Sequence, residues 1–379
     1  MFEEFLNPVN EELQSFAFSQ SPYSVGHYVH FYYDFEDEKE ENKTKIALFG
    51  VKEKTDDYDV DFTLIRKEFY QLKKGDWDSI LVDFGDIEPG ATFEDSCFAF
   101  HQVHQRLLKK GFVVIVIGNL PEFTYFQYRS FDGIRNNVNL SLVDAKFRLG
   151  DDTEILNSEN ILSKIISQPP HNLFEYTHFG HQAYYVAQEE LNLIEHLNFD
   201  VIRLGDLMKK IRRVEPFLRE SDLLAIDLSS IQASDFFSTP RPIPNGFNAR
   251  EICALTRYAG SSHSLQSLYI YNYIEKFRLP DHLLFSQMIW YFIDGQNHQP
   301  EKVSFDDEHY FEKIHVPTVE QDLVFYHNLY TNQWWIEIKR LNDTAEDGIH
   351  RVPCHKKDYM QAVRGEVPDR FWKSFKKFY

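Results

Sequence analysis

Charged side chains follow two apolar segments of this sequence, and they are the residues best placed to do chemistry. Asp144, Lys146 and Arg148 come after the segment NLSLV, and Asp227 and Ser229 come after LLAI. Hard divalent cations need several carboxylate oxygens and imidazole nitrogens that converge on one point. A lysine or arginine beside a carboxylate forms an ion pair instead, and arginine keeps its charge. These five residues are therefore the candidates for chemistry at the ends of the two segments.

Eight short apolar segments recur along the chain and must position these residues. They span residues 45–51, 79–85, 112–118, 139–145, 174–180, 200–205, 222–228 and 267–273. Most are rich in Val and Ile and apolar on both faces, as strands of a parallel sheet are. Helical patterns lie between several of them, at 60–73, 94–110, 180–196, 248–259 and 281–294. The alternation predicts a three-layer α/β/α fold around an eight-stranded, mainly parallel sheet, with functional loops at the carboxyl ends of its strands.

The last part of the chain breaks this alternation. Residues 321–341 hold two apolar stretches around Tyr330, Thr331 and Asn332, which predicts a hairpin. From Arg351 onward, eight Lys/Arg and three Asp/Glu give a net charge of +5. We therefore divide the chain into an N-terminal lead-in (1–44), an α/β domain (45–299) and a C-terminal extension (300–379) of a hairpin and a basic aromatic helix.

Further sequence fragments occur in a fixed order around the same loops. They are Asp144-Ala145, Asp227, Thr239-Pro240, Asn245-Gly246 and Arg250-Glu251, followed by FSQMIWYFIDG. In this order and spacing, residues 45–295 resemble the ureohydrolase family of arginases, agmatinases and formimidoylglutamases. The resemblance implies an arginase-like α/β/α fold, and the general pattern favours the formimidoylglutamase branch.

The resemblance also implies a site for two manganese ions, held by two His and four Asp. Here Pro121 and Lys146 stand at the two His positions, and Arg148 and Ser229 stand at two of the Asp positions. Only Asp144 and Asp227 remain as ligands. Because Lys146 and Arg148 would repel a dication, we expect them to pair with Asp144 and Asp227, and we expect no metal.

Two functions from different classes follow from these departures. The first is a catalytically inactive ureohydrolase-like protein, a pseudoenzyme, that acts as a scaffold or binding partner. The alternative is a manganese-dependent hydrolase of C–N bonds in guanidino or formimino compounds, with ligands drawn from His171, His178 and His181. A third reading is a cationic pocket for a small anionic ligand.

Other polar residues have a functional and a structural interpretation. Glu251, at a family-matched position, is a candidate to support the metal site, but it also suits the first turn of a helix. Asp83 and Asp86 could do acid-base chemistry or cap a turn. His101 and His104, three residues apart, fit a polar helix face.

The basic aromatic end of the chain also has two interpretations. Its aromatic residues alternate with lysines, as in segments that contact RNA or a partner groove. Alternatively, Trp372, Phe375 and Phe378 or Tyr379 pack on the core of the chain with the lysines outward. The spacing of three favours packing.

Composition narrows the class of partner. The 379 residues carry a formal charge of −19, which argues against nucleic acid and membrane surfaces and leaves a protein partner as the expectation. The three cysteines lie far apart, and the chain start lacks the pattern of a signal peptide, which together predict a cytoplasmic protein. No apolar run is long enough for a transmembrane helix. The resemblance allows a homo-oligomer.

Overall fold

A computed structural model of the protein describes residues 3–32, 43–55, 60–276, 278–339 and 348–378. The acidic run at 34–41 lies outside the described residues. Among the described residues, no helix combines the length and the apolar character needed to cross a bilayer.

A nine-stranded sheet forms the centre of the fold, and all its strand pairs are parallel. Its strands are β1 (His30–Phe31), β2 (Lys45–Val51), β3 (Ile80–Ile87), β4 (Val113–Gly118), β5 (Val138–Val143), β6 (Leu173–His181), β7 (Asp200–Arg203), β8 (Leu223–Asp227) and β9 (Ser267–Tyr271). The order across the sheet is β1-β3-β2-β4-β9-β8-β5-β6-β7. All eight predicted strands are present, and the two-residue β1 adds a ninth at one edge.

Helices cover both faces of this sheet. They are α1 (Glu11–Phe18), α2 (Val25–Tyr28), α3 (Thr63–Gln71), α4 (Phe93–Lys109), α5 (Phe123–Arg129), α6 (Ile161–Ser167), α7 (Gln188–His196), α8 (Leu204–Lys209), α9 (Glu215–Leu218), α10 (Ala249–Gly260) and α11 (Leu279–Asn297). Alternate residues of β2 enter two separate cores, because successive side chains of a strand point to opposite faces. Ile46 and Leu48 pack with the cluster that includes α3, α10 and α11, whereas Ala47 and Phe49 pack with that of α4. The three-layer α/β prediction is confirmed.

The helix predicted at 180–196 is wrong in its first half. Gly180 and His181 complete strand β6, and α7 begins only at Gln188. Gly180 has a φ of +96°, which is incompatible with a helix. A Cβ atom there would also lie 2.5 Å from the ring of Phe247. Tyr184, which falls within the predicted helical range, is 63% exposed in the loop.

The C-terminal extension is a second sheet with two helices. Its antiparallel strands, in sheet order, are β10 (Phe311–Pro317), β11 (Asp322–Asn328), β12 (Trp334–Lys339) and β13 (Ile349–Cys354). The predicted hairpin is β11–β12, and Asn332 adopts a φ of +57° in its turn. Helices α12 (Lys356–Val363) and α13 (Asp369–Phe378) follow, and both contribute to the core of this sheet.

Helix α13 docks on the chain itself through the predicted Trp372 and Phe375, but its lysines are not all outward. Phe371 is its buried aromatic residue, and Trp372 and Phe375 are partly buried. The lysines do not all point outward: Lys373 Nζ pairs with Asp200 at 2.8 Å, and Lys377 Nζ pairs with Glu175 at 2.5 Å. The side chain of Phe378, and Tyr379, lie outside the described residues.

Candidate functional site

A cavity of about 470 Å³ lies at the carboxyl ends of the central strands. Its walls come from the segments that follow β4, β5, β8 and β9. The strand order places β9 and β8 between β4 and β5, so that segments distant in sequence meet here. In open parallel sheets this edge is where ligands bind.

Arg148 bridges two buried carboxylates at the floor of this cavity. Its Nε donates to Asp144 Oδ2 at 2.5 Å, and its Nη2 donates to Asp227 Oδ2 at 2.5 Å. The three side chains are at most 5% exposed. Asp144 and Asp227 meet because β5 and β8 are neighbours in the sheet. One guanidinium therefore occupies the space between Asp144 and Asp227.

The backbone of Arg148 is arranged to allow this bridge. The residue has a φ of +58°, an uncommon conformation for a side chain other than glycine. Its Nη1 also donates to the carbonyl oxygen of Ser158 at 2.5 Å. The guanidinium thus has three partners in three directions, which a lysine ammonium on a flexible stem could not match.

The other oxygens of the two carboxylates also accept hydrogen bonds. Asp227 Oδ1 accepts from the Ser229 backbone N–H at 2.7 Å and from Asn272 Nδ2 at 2.8 Å. Asp144 Oδ1 accepts a longer bond from the Lys146 backbone N–H at 3.3 Å. Ser229 therefore contributes its backbone to the site. Asn272, itself at a φ of +64°, is a site residue that the sequence analysis missed.

Burial sets the electrostatics of this cluster. It raises the pKa of Asp144 to about 6, and repulsion from Asp227 adds to the rise while Arg148 opposes it. Burial disfavours the charge on Arg148, but its attraction to Asp144, Tyr271 and Asp227 raises its pKa above the usual value. Arg148 therefore remains a cation at the floor of the cavity.

Lys146 does not join this cluster. Its Nζ pairs with Glu159 at 2.5 Å, and its side chain is 34% exposed. The prediction that Lys146 pairs with Asp144 and Asp227 is wrong, because its neighbour Arg148 already occupies both carboxylates. The interpretation as a cationic pocket for an anion loses the support of Lys146 and Arg148, since both have acidic partners; Arg241, a third cation that lines the cavity, is exposed and lies over the ring of Tyr185.

The end of β4 contributes Pro121 and Glu122. Pro121 is buried at the cavity wall and has no side-chain donor or acceptor. Glu122 also lines the cavity, and its Oε2 is buried without a hydrogen-bond partner among the described residues. Burial raises the pKa of Glu122. The sequence analysis missed Glu122, although its place directly after the strand-end segment GNLP is a usable signal.

The three candidate histidines do not assemble into a metal site. His171 precedes β6 and is exposed, whereas His178 and His181 lie in its last part. His178 is fully buried between the Tyr176 hydroxyl at 2.7 Å and the Asp144 carbonyl oxygen at 2.8 Å. Burial lowers the pKa of His178 to about 3 and that of His181 to about 4. Both imidazoles are therefore neutral at pH 7.

Glu251 closes a helix cap. Its carboxylate accepts the Asn248 backbone N–H at 3.0 Å, and its own N–H donates to Asn248 Oδ1 at 3.0 Å. This reciprocal arrangement stabilises the start of α10. The contacts support the structural interpretation of Glu251.

The remaining polar candidates also have structural partners. Arg66 Nε contacts Asp83 at 2.9 Å, and its Nη1 contacts Asp86 at 2.8 Å. His104 is buried, and its Nε2 shares a hydrogen bond with Ser267 at 2.8 Å. His101, also on α4, is half-buried, and burial lowers its pKa.

The residues at the cavity do not fit a pair of divalent cations. Among the described residues, no group of three His, Cys, Asp or Glu is arranged to hold a metal ion. The space between Asp144 and Asp227 holds a guanidinium, and at an effective dielectric of 20 a like charge ~4 Å away costs about 4 kcal/mol per unit charge.

Comparisons with known proteins place the fold. Neither a protein-family model nor a curated protein matches the sequence. Among solved structures, the chain is similar to formimidoylglutamase of Bacillus subtilis, with a TM-score of 0.62 and 14% identity over 72% of this chain and 91% of that one. It is also similar to Trypanosoma cruzi formiminoglutamase solved with Mn²⁺, with a TM-score of 0.59 and 16% identity over 69% of this chain and 96% of that one.

A third similar structure widens the range of activities that share this architecture. It is the agmatine ureohydrolase of Thermoplasma volcanium, with a TM-score of 0.56 and 17% identity over 76% of this chain and 97% of that one. At such identities the likeness shows the fold. The chain therefore has the ureohydrolase fold, as the fragments in its sequence predicted.

Proposed function

We propose that this protein is a catalytically inactive member of the ureohydrolase fold that acts as a scaffold or binding partner. The observation that carries the proposal is the position of Arg148 between Asp144 and Asp227, 2.5 Å from each. The two carboxylates that would otherwise face metal ions are neutralised by a side chain of the same chain.

The reaction of the similar enzymes explains why this position matters. Hydrolysis of an amidine-type C–N bond by a two-metal site needs a hydroxide formed by lowering the pKa of bound water. A guanidinium cannot replace the metals, because it has no vacant position for water and cannot act as a base. Pro121, Lys146 and Ser229 supply no substitute ligands, since they present a ring, an acid-paired ammonium and a backbone N–H.

The three cysteines and His178 do not offer a second route to hydrolysis. The three cysteines are buried, and burial raises the pKa of each thiol, which disfavours the reactive thiolate. His178 has both ring nitrogens in hydrogen bonds with its own chain. These contacts support loss of catalysis.

Charge and cysteine chemistry support the rest of the proposal. A formal charge of −19 favours a protein partner over nucleic acid or a membrane surface. The buried, unpaired cysteines suit a reducing compartment such as the cytoplasm.

Manganese binding tests the loss of catalysis. The full chain is equilibrated with Mn²⁺ and gel-filtered, its metal content is measured, and hydrolysis of arginine, agmatine and N-formimidoylglutamate is assayed. We expect no retained manganese and no activity. Two retained ions per chain together with hydrolysis would establish the alternative, a manganese-dependent C–N hydrolase.

A matched variant controls for the sensitivity of the metal measurement. The quadruple variant P121H/K146H/R148D/S229D restores the ligand types at the four altered positions. We expect it to retain manganese, because the cation is removed and carboxylate and imidazole donors are added. The wild type should not retain manganese under the same conditions.

A further inference from the structure

A second cavity, far larger than the first, lies where the two sheets meet. It has a volume of about 910 Å³ and runs between the edge strand β7, the end of β13 and helix α12. We call it the β7–α12 groove. The residues of this groove are separate from those of the first cavity, so its chemistry is judged from its own walls.

One wall of the groove is the free edge of the large sheet. β7 pairs with β6 on one side, and no strand of the described residues pairs with its other side. All four residues of β7 line the groove, although successive side chains of a strand point to opposite faces. The groove therefore follows the strand edge. A free edge presents backbone N–H and C=O groups that can accept another strand.

The walls of the groove are not only charged, since they also include apolar and buried polar side chains. Val201 and Ile202 are half-buried, and Met360 is 42% exposed on α12. His181, 3% exposed, also lines the groove, and its Nδ1 has no hydrogen-bond partner among the described residues. These groups offer an extended chain both apolar contacts and a buried polar contact.

The exposed, unpaired charges of the groove are mostly positive, whereas the chain as a whole is acidic. Arg203, Lys357 and Arg364 line it, are exposed, and carry no side-chain ion pair or hydrogen bond among the described residues. Three other cations that line it already have acidic partners: Arg213, Arg370 and Lys373. Of the carboxylates that line it, Glu366 and Asp369 are exposed and without an ion pair. Asp358 also lines the groove without an ion pair, but it is buried and accepts the His355 backbone N–H at 2.7 Å at the start of α12. The exposed unpaired charges are therefore three cations and two carboxylates, on a chain whose formal charge is −19.

We propose that the β7–α12 groove binds an extended segment of an acidic protein, which adds a strand to the free edge of β7. Backbone hydrogen bonds to β7 would supply affinity, and Arg203, Lys357 and Arg364 would select acidic side chains. At roughly 3.3 Å per residue, the four residues of β7 present an edge of about 13 Å, enough for a short strand. The inference rests on the proposed function, because it names the surface by which a non-catalytic protein would act.

Fluorescence anisotropy of the full chain tests this groove. The probe is a fluorescein-labelled seven-residue peptide that alternates glutamate and valine. We expect saturable binding that weakens with salt, and amide hydrogen exchange should show protection of residues 200–203 on binding. The same peptide with lysine in place of glutamate should bind at least about tenfold more weakly. Two versions of the probe, N-methylated on the odd or on the even backbone amides, should differ. One of them should lose binding, because its methylated amides cannot donate hydrogen bonds to the edge of β7.

Variants on one helix provide the matched control. K357E combined with R364E should weaken the acidic probe about tenfold or more. K356E reverses a neighbouring exposed charge that does not line the groove, and it should leave binding within about twofold. Equal binding of the acidic and basic probes, equal effects of the two variants, or no binding at all would overturn the proposal.

These outcomes are separable from those of the proposed function. Failure of the peptide to bind, with metal-free and inactive protein, would refute the groove alone. Retained manganese with hydrolysis would refute the loss of catalysis, whatever the peptide does.

Discussion

Replacing Arg148 with methionine should destabilise the fold strongly, and in a pH-dependent way. The substitution keeps an unbranched apolar stem, ends where the guanidinium begins, and removes the cation between Asp144 and Asp227, which are 2% and 1% exposed. Removing one partner of a buried ion pair costs about 3–5 kcal/mol, because the remaining charge is left without compensation. We expect R148M to lose that amount in the free energy of unfolding at pH 8.

The pH dependence follows from the pKa of Asp144. Burial holds this pKa at about 6, above the ordinary value, even with Arg148 present. A carboxyl group whose pKa is raised by folding contributes stability at low pH that is lost as the pH rises through the folded pKa. Without Arg148 the pKa rises further, at about 1.4 kcal/mol per unit. The difference between wild type and R148M should therefore be smaller at pH 5 than at pH 8.

Urea denaturation followed by circular dichroism at pH 5 and pH 8 measures both effects. R257M is the matched control, because Arg257 pairs with Asp294 at 2.9 Å but is 46% exposed, and it should cost less than about 1 kcal/mol. The double variant R148M/D144N should recover much of the loss at pH 8, since it removes one of the unpaired charges. A stability of R148M equal to that of the wild type at pH 8, or a loss independent of pH, would refute the ion-pair account.

Three further predictions concern other parts of the molecule. R370M should lower the free energy of unfolding by about 3–5 kcal/mol, because Arg370 is the buried partner of two carboxylates that anchor α13. K376M on the same helix should change it by less than about 0.5 kcal/mol, and thermal melts compare the two variants. E122Q should raise stability by about 1 kcal/mol at pH 8 and by less at pH 4.5, because the buried carboxylate is protonated at low pH; unchanged urea midpoints at both values would contradict this. G180A should lower the free energy of unfolding by about 2–3 kcal/mol, since residue 180 has a φ of +96° and a Cβ atom there would clash with the ring of Phe247. G133A, with a φ of +73° and open space around the added Cβ, should lower it by about 1 kcal/mol. Similar melting temperatures for the two variants would contradict the clash.

The layered fold was predictable because its signals are local. Each of the eight strands is an apolar segment bounded by turn residues. That pattern can be recognised without knowing which segments lie next to each other in the sheet. The ninth strand, β1, has only two residues and no such pattern. The false helix at 180–187 has an equally local cause: the apolar spacing fits a helix, but the positive φ of Gly180 and its close approach to Phe247 are consequences of packing.

The candidate site likewise combines residues that the local sequence identifies with contacts that depend on packing. Asp144, Arg148 and Asp227 were all identified in the sequence, and the need of buried carboxylates for cations pointed to Lys146 and Arg148 together. The choice between Arg148 and Lys146 was not predictable, because both follow Asp144 at short range. Glu159, thirteen residues from Lys146, draws the lysine away through a loop whose course the sequence does not reveal.

The lysines of α13 illustrate the same difficulty at longer range. Their spacing beside aromatic residues suggested a solvent-exposed face, yet the side chains of Lys373 and Lys377 form ion pairs with the α/β domain. Their partners, Asp200 and Glu175, are 173 and 202 residues away in sequence. Only the docking of the C-terminal extension on β6 and β7 makes these carboxylates available.

The sequence by itself determined the order of the strands along the chain and the layered α/β class, and its resemblance to the ureohydrolases predicted that Pro121, Lys146, Arg148 and Ser229 stand at metal-ligand positions. The tertiary structure alone decided which of these residues meet. Arg148 reaches Asp227, 79 positions away, because β5 and β8 are adjacent in the sheet. Ion pairing depends on distance and burial, and both are properties of the folded chain.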